Sequence, residues 1–194
     1  TGVQTCALPI SIGWYGPRGD ERLDESATRG DGFLADVCER WEAAAGGAGV
    51  RTVLLRTGIV LSPRGGALAK QLPLFRLGLG GRFGHGRQWQ SWIGIDDEVR
   101  AIRHAIDSRL EGPVNVTAPE PVTGADFART LARVLRRPAL LPIPAFGPRL
   151  LLGRELADAL LFTGQRVVPD ALTRSGFAFT HPTLEASLRH LLAR

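Results

Sequence analysis

Two kinds of hydrophobic pattern alternate along this chain. Short, nearly continuous apolar runs are separated by longer stretches in which apolar residues recur every three or four positions. Residues 11–15 (SIGWY) form a short apolar run ending at Gly16-Pro17, the pattern of a buried strand entering a loop. After a polar stretch, Phe33, Leu34, Val37, Cys38 and Trp41 repeat at helical spacing, and Gly46-Gly47 closes the helix. Residues 51–61 (RTVLLRTGIVL) read as the clearest strand, apolar on both faces like a strand covered by helices on each side. Strand, helix, strand in that order predicts a crossover unit of a parallel sheet.

Further on, Gly65-Gly66 precede a short helix over 67–72, and a glycine-dense loop fills 78–86. Residues 90–95 (QSWIGI) read as a strand, with Asp97 as N-cap of a helix reaching about Leu110. A strand over 114–117 follows, then a helix over 125–136 capped by Thr123, with Asp126 favouring the helix dipole. Pro138, Pro142 and Pro144 mark an extended link. The remainder predicts an amphipathic helix over 151–161, a turn, and a terminal helix from Leu184. No internal repeat or low-complexity tract interrupts this order. The fold expected is α/β: the C-terminal part of a doubly wound, Rossmann-like parallel sheet with a smaller α+β substrate lobe.

Composition narrows the class. With 194 residues, 44% hydrophobic and 22% charged, the chain is neither disordered nor a disulfide-knotted miniprotein. Its two cysteines, Cys6 and Cys38, make no disulfide framework and suit a reducing compartment. No apolar stretch approaches the roughly 20 residues of a membrane-spanning helix, and no signal-peptide pattern is present. A cytoplasmic protein without membrane association is therefore expected. The net charge of +5 raises the question of nucleic acid. Lys70 is the only lysine, however, and the arginines are dispersed among acidic residues with no run longer than Arg136-Arg137. A mixed solvated surface is the reading, with no nucleic-acid partner.

The string at 1–10, TGVQTCALPI, reads as the in-frame translation of a sequencing-adapter oligonucleotide. On that reading the native residues are 11–194, further protein precedes them, and Cys6 carries no meaning. Residues 1–10 would then pack poorly, or stand in for a strand without polar pairing.

In doubly wound sheets ligands lie beyond the carboxyl ends of the strands. That rule selects Ser11-Ile12-Gly13 and Arg56-Thr57-Gly58. Arg56 at the end of an apolar strand must meet either an anionic ligand or a structural carboxylate. In the loop that follows, Arg82, His85, Arg87 and Gln88 are candidate polar contacts to a substrate, and simple loop flexibility is the alternative. The glycines there do not follow a strand and open a helix, so this is not a dinucleotide loop. His85, His104, His181 and His190 lack metal-ligand spacing, and no nucleophile elbow occurs.

Several segments together resemble one family. They are SIGWYG (11–16), FLADVCERWE (33–42), RTGIVL (56–61), GGAL (65–68), LGLGG (77–81), GRQWQSWI (86–93), VNVTAPEPVT (114–123) and GFAFTHPTL (176–184). The family is the epimerase-like branch of the extended short-chain dehydrogenase/reductases, the NAD-dependent epimerase/dehydratase or nucleoside-diphosphate-sugar epimerase group. The resemblance covers 11–194. It implies a preceding Rossmann half with a Gly-rich loop binding NAD or NADP, and a small C-terminal domain of unknown function. The implied division is a Rossmann remnant over 11–62 together with the strand 114–117, a substrate lobe and last Rossmann elements over 63–138, and a helical domain over 139–194. Arg56, Thr57 and Gly58 become cofactor-binding candidates; Arg87, Gln88 and Trp92 become contacts to a small-molecule substrate such as a sugar nucleotide.

The superfamily's general acid/base is a Tyr followed four residues later by a Lys. Tyr15 is the only tyrosine here and lies 55 residues from Lys70, so no such pair exists. The corresponding slots hold Phe33 and Val37. Ser11 falls near the superfamily's catalytic Ser/Thr, and Tyr15 is the first alternative proton donor. The expectation is an NAD(P)-dependent, epimerase-like oxidoreductase fragment, inactive by itself. The alternative is a non-catalytic nucleotide or sugar-nucleotide binding protein on the same fold.

Overall fold

The computed structural model describes residues 5–47, 49–138 and 163–193. A three-stranded parallel sheet in the order β1-β3-β7 is its centre, built from β1 (Thr5–Ser11), β3 (Arg51–Thr57) and β7 (Gly112–Val116). Alternation along β3 sends successive side chains to opposite faces. Val53 and Leu55 pack with Val114, Val116 and with Ala101 and Ala105 of helix α3 (Ile95–Asp107). Arg56 turns the other way, to Glu42 of α1 (Phe33–Gly46). The sheet is thus covered on both faces, the reason its strands read as continuous apolar runs.

The first strand lies earlier than expected. Residues 12–15 are a short 3₁₀ turn, because the Ser11 Oγ accepts the Gly13 N–H and bends the chain out of the sheet. β1 is paired with β3 along its whole length, from Thr5 opposite Arg51 to Ser11 opposite Thr57. Its Ile10 is buried, and Arg51 donates to the Thr5 hydroxyl. Of the two alternatives expected at the start of the chain, residues 5–10 take that of a stand-in strand, and the expected lack of polar pairing is corrected by the Arg51–Thr5 bond. The ladder's hydrogen bonds come from the backbone and need no particular side chains.

The run 51–61 is two strands. β3 ends at Thr57, and β4 (Ile59–Leu61) pairs in parallel with β6 (Trp92–Gly94) in a separate small sheet. Gly58 is the break: its N–H donates to Val116 O while the next N–H, of Ile59, donates to Ser91 O. The stretch expected as one strand over 90–95 is likewise split at Ser91. β5 (Trp89–Gln90) pairs antiparallel with β8 (Val122–Thr123), and β6 joins β4.

β6 runs directly into α3 with Gly94 at the N-cap, so Asp97 is not the cap residue. Asp97 is buried instead, and its carboxylate accepts the N–H groups of Thr180 and His181 at 2.9 and 3.0 Å. Helix α2 (Gly66–Arg76) runs four residues beyond the end expected at Leu72 and contains Pro73. Thr123 caps α4 (Gly124–Leu135) as expected, accepting from Asp126 N. The apolar stripe read on α1 faces largely outward: Phe33 is 78% and Trp41 54% exposed, while Ala35, Cys38 and Ala45 are buried.

Downstream lie β9 (Arg166–Val167), α5 (Asp170–Arg174) and α6 (Leu184–Leu191), the last capped by Thr183. β9 pairs in parallel with β2 (Arg22–Leu23) in the loop after β1. Leu184 and Leu188 of α6 pack with Leu61, Leu68, Phe75, Trp92 and Leu131, so the last helix completes the core under α2 and α4. The helix expected over 151–161 lies outside the described residues. Among them, no helix is long and apolar enough to cross a membrane.

Candidate functional site

The carboxyl ends of β1 and β3 open into a cleft of about 140 Å³, walled by Ser11, Gly13, Thr57, Gly58, Gln88 and Ser91 among others. It continues past Gln88 and Trp89 into a second recess of about 320 Å³, bordered by Asp20, His85 and Arg87. The topology makes this cleft: β1 and β3 end side by side, and the break at Gly58 turns the following strand away. A Cβ at Gly58 would stand 2.4 Å from Ser91 O and 2.8 Å from Thr117 Cγ2. Only glycine lets β6 come this close.

Ser11 and Thr57 are register partners, so both side chains stand on the same face of the sheet. The Ser11 hydroxyl accepts from Gly13 N at 3.0 Å, which leaves its hydrogen able to donate toward the cleft. Thr57 Oγ1 donates to Glu98 Oε1 at 3.2 Å. Glu98 projects from the first turn of α3 and is only 7% exposed. Burial pushes its carboxyl up to about 7, with the Thr57 hydrogen bond pulling only weakly the other way. Gln88 is buried, and its Nε2 donates to Phe83 O at 3.3 Å. Arg87 is exposed at the recess, its backbone N–H held by His85 Nδ1 at 3.0 Å. Trp89 shapes the opposite side: its Nε1 donates to Asp20 Oδ1 at 2.6 Å, and the Arg166 guanidinium lies 4.7 Å over its ring.

Three expected site residues are placed elsewhere. Trp92 is fully buried among Leu61, Phe75 and Leu131, and its Nε1 donates to Glu120 O at 3.0 Å. It is a core residue, since its place in β6 turns the indole inward. Arg56 makes a two-pronged ion pair with Glu42 at 2.7 and 2.9 Å and stacks 4.1 Å over Trp14. Of the two readings left open for it, the structural carboxylate is the one found. Tyr15 is fully buried; its hydroxyl donates to Asn115 Oδ1 at 2.7 Å and accepts from Arg56 Nη1 at 3.1 Å. Burial raises its phenol, against the nearby Arg56 charge. Tyr15 belongs to a packed network behind the cleft and does not wall it.

Sequence reasoning missed Glu98, Ser91 and Trp89. Asp96-Asp97-Glu98 looks like an ordinary acidic first turn favouring the helix dipole. The available signal was spacing: Glu98 shares a helix face with Ala101 and Ala105, both fully buried. Ser91 gave no signal, because its Oγ bonds to Gln165 O and Val167 N, more than seventy residues away.

A family model described as a domain of unknown function (DUF1731) matches residues 143–191. The chain is 46% identical over 197 residues to an epimerase family protein of Mycobacterium bovis, covering 100% of this chain and 65% of that protein. The crystal structure of the human epimerase family protein SDR39U1 with NADPH has a TM-score of 0.92 at 34% identity, covering 98% of this chain and 65% of that one. A nucleoside-diphosphate sugar epimerase from Corynebacterium glutamicum has a TM-score of 0.72 at 37% identity, over 97% of this chain and 37% of that one. The chain thus spans between about half and a little under two thirds of the length of curated relatives it matches. With its parallel sheet covered on both faces, the chain is similar along nearly its whole length to proteins named as epimerase family, and its residues 143–191 match the domain of unknown function.

Proposed function

We propose that this chain supplies the substrate-side walls of a nicotinamide-nucleotide site in an NAD(P)-dependent, epimerase-like protein acting on a small molecule of the sugar-nucleotide class. The observation that carries this reading is the cleft of Ser11, Thr57 and Gly58 at the strand ends, in a fold shared with a relative whose structure holds NADPH. The residues present fit such a group. Ser11 and Thr57 offer hydroxyls, which suit a carboxamide and ribose hydroxyls, and Gly13 and Gly58 keep the backbone low beneath them. When bound, a nicotinamide supplies a hydride acceptor or donor. The protein's part is to orient it, exclude water and hold a proton at the Ser11 or Thr57 oxygen. Arg87 and Gln88 would meet an anionic substrate at the recess, where a planar guanidinium can fork onto a phosphate.

A second reading has its own observation. The family resemblance puts Phe33 and Val37 in the slots of the superfamily's phenol and ammonium, and neither side chain transfers a proton. A non-catalytic nucleotide or sugar-nucleotide binding protein would have that composition. The test is made on the complete protein. NADP(H) binding is measured by fluorescence and calorimetry, and turnover of nucleoside-diphosphate sugars by steady-state assay. Cofactor binding with weak or absent turnover is expected. Robust turnover would reject the binding-only reading, and Tyr15→Phe would then reveal whether the buried phenol takes part. Absence of NAD(P) binding would reject both the cofactor and the site. Arg87→Ala is expected to weaken an anionic ligand by about tenfold or more with unchanged thermal stability; unchanged affinity would remove Arg87 from the site.

A further inference from the structure

Glu98 is a buried charged group, set behind the cleft residue Thr57, that the binding reading leaves without a task. α3 carries it inward, one oxygen accepts from Thr57, and the other, Oε2, is buried with no hydrogen-bond partner among the described residues. Thr57 is the last residue of β3 and walls the cleft, so its hydroxyl separates the carboxyl from anything bound there.

A hydroxyl has one hydrogen to give and lone pairs to receive with. When Glu98 is ionised it can only accept, so the Thr57 hydrogen is committed to it and the hydroxyl offers the cleft a lone pair. When Glu98 is protonated, its own O–H can donate to the Thr57 oxygen, and the Thr57 hydrogen is released from the carboxylate, free to turn to a ligand acceptor in the cleft in place of its long contact to Leu55 O at 3.5 Å. We propose that Glu98 is a positioning residue whose protonation decides whether Thr57 presents an acceptor or a donor to a ligand. A ligand oxygen at Thr57, such as a carboxamide or ketone carbonyl, then binds better with Glu98 protonated. A ligand hydroxyl or amide N–H binds better with it ionised. The ligand half of this inference rests on the cleft being the binding site; the coupling between Glu98 and Thr57 does not.

Among the described residues, no charged neighbour competes for control of Glu98. On its own helix, Asp97 is turned to Thr180, His181 and Arg100, Asp96 to His190, and His104 to Ser175. Arg103 and Asp107 pair with each other on the exposed side. On β3, Arg56 points to the opposite face, and Arg51 holds the carbonyls of Ala105, Ile106, Ser108 and Leu110 at the strand's far end. β1 carries only Cys6, at that same far end, and β4 and β6 carry no titratable side chain. Burial and the Thr57 hydroxyl are the influences that remain, and together they set a midpoint of about 7.

The experiment uses the complete protein labelled with ¹³C at glutamate carboxyls and threonine methyls. The Glu98 carboxyl and Thr57 methyl resonances are expected to titrate together, with the Thr57 response absent in Glu98→Gln. Thr57→Val is expected to move the Glu98 midpoint upward, because the hydrogen bond that lowers it is lost, and Thr57→Ser to restore it. A Thr57 methyl that ignores Glu98, or moves equally in Glu98→Gln, overturns the proposal. NADPH affinity is then followed from pH 6 to 8.5. The wild type is expected to change about fivefold more than Glu98→Gln or Thr57→Val across the midpoint, the worth of one hydrogen bond. Identical profiles overturn the switch at the ligand. If the wild type binds no NADPH at any pH, the cofactor reading fails, and the resonances alone decide between coupling and its absence. A merely structural Glu98 would alter stability and leave both the Thr57 titration and the pH profile in place.

Discussion

Side chains adjacent in sequence meet opposite fates here. Arg56 and Thr57 are consecutive, yet the first is locked in an ion pair behind the sheet and the second walls the cleft. Alternation along a strand decides this, and it was legible once the strand was identified. What Arg56 would meet was not legible, because Glu42 lies on the preceding helix and only packing brings the two together. Arg56→Ala leaves Glu42 buried without its partner, and we expect a loss of about 3–5 kcal/mol in denaturant unfolding; a loss below 1 kcal/mol would show the pair to be solvated. Asp97 and Glu98 diverge in the same way. For Asp97, burial pushes the carboxyl up, but the N–H groups of Thr180 and His181 and the Arg100 guanidinium hold it below its usual value. Its contribution is therefore present at neutral pH and is lost as pH falls through the native value. Glu98 has a native value of about 7 against 4.5 in the unfolded chain, so its neutral form favours folding at low pH. That advantage disappears as pH rises from 4.5 through 7, at a full cost of roughly 3 kcal/mol. Relative to Glu98→Gln, the wild type is expected to lose stability between pH 5 and pH 8.5; parallel stability curves would refute the assignment.

At the level of elements, apolar runs revealed where strands lie and concealed where they break. Residues 51–61 look uniform, but the chain changes sheets at Gly58 because two carbonyls, of Val116 and Ser91, compete for consecutive N–H groups. No local pattern records a competition between partners more than thirty residues away. Helix α1 shows the converse. Its large apolar residues suggested the inward face, whereas the sheet accepts only the small side chains of Ala35 and Cys38 and leaves Phe33 and Trp41 outside. Caps made by local side chains, at Thr123 and Thr183, need nothing distant. The first was accordingly read from sequence alone. Gly58→Ala tests the sheet change: its methyl would press on Ser91 O, and we expect at least about 2 kcal/mol of destabilisation with distortion of the cleft. Unchanged stability and ligand affinity would mean that β6 can retreat freely.

For the molecule as a whole, the described residues leave uncovered the apolar outer face of α1, the leucines Leu74, Leu77 and Leu79 at and just beyond the end of α2, and the edge of β1 that does not pair with β3. Strand edges and apolar patches invite association. The 194-residue chain by itself is expected to self-associate at micromolar concentration in light scattering, and Phe33→Ser with Trp41→Ser to reduce it. A strictly monomeric wild-type chain would count against this reading. The doubly wound class was visible in the sequence because it needs only the order of strands and helices. The closure of the structure was not, because it rests on pairings between distant segments. β2 has β9 as its strand partner, and Glu25 in the same loop receives the N–H of Ala171, 146 residues later. During synthesis, β1, β3 and β7 are all available for pairing once residue 116 has emerged. The loop that borders the recess must wait for residues 166 and 167, its partners in β9. The strands of the sheet thus come early and the partner of the recess loop late, so synthesis halted before residue 166 would leave paired strands beside an unfinished cleft.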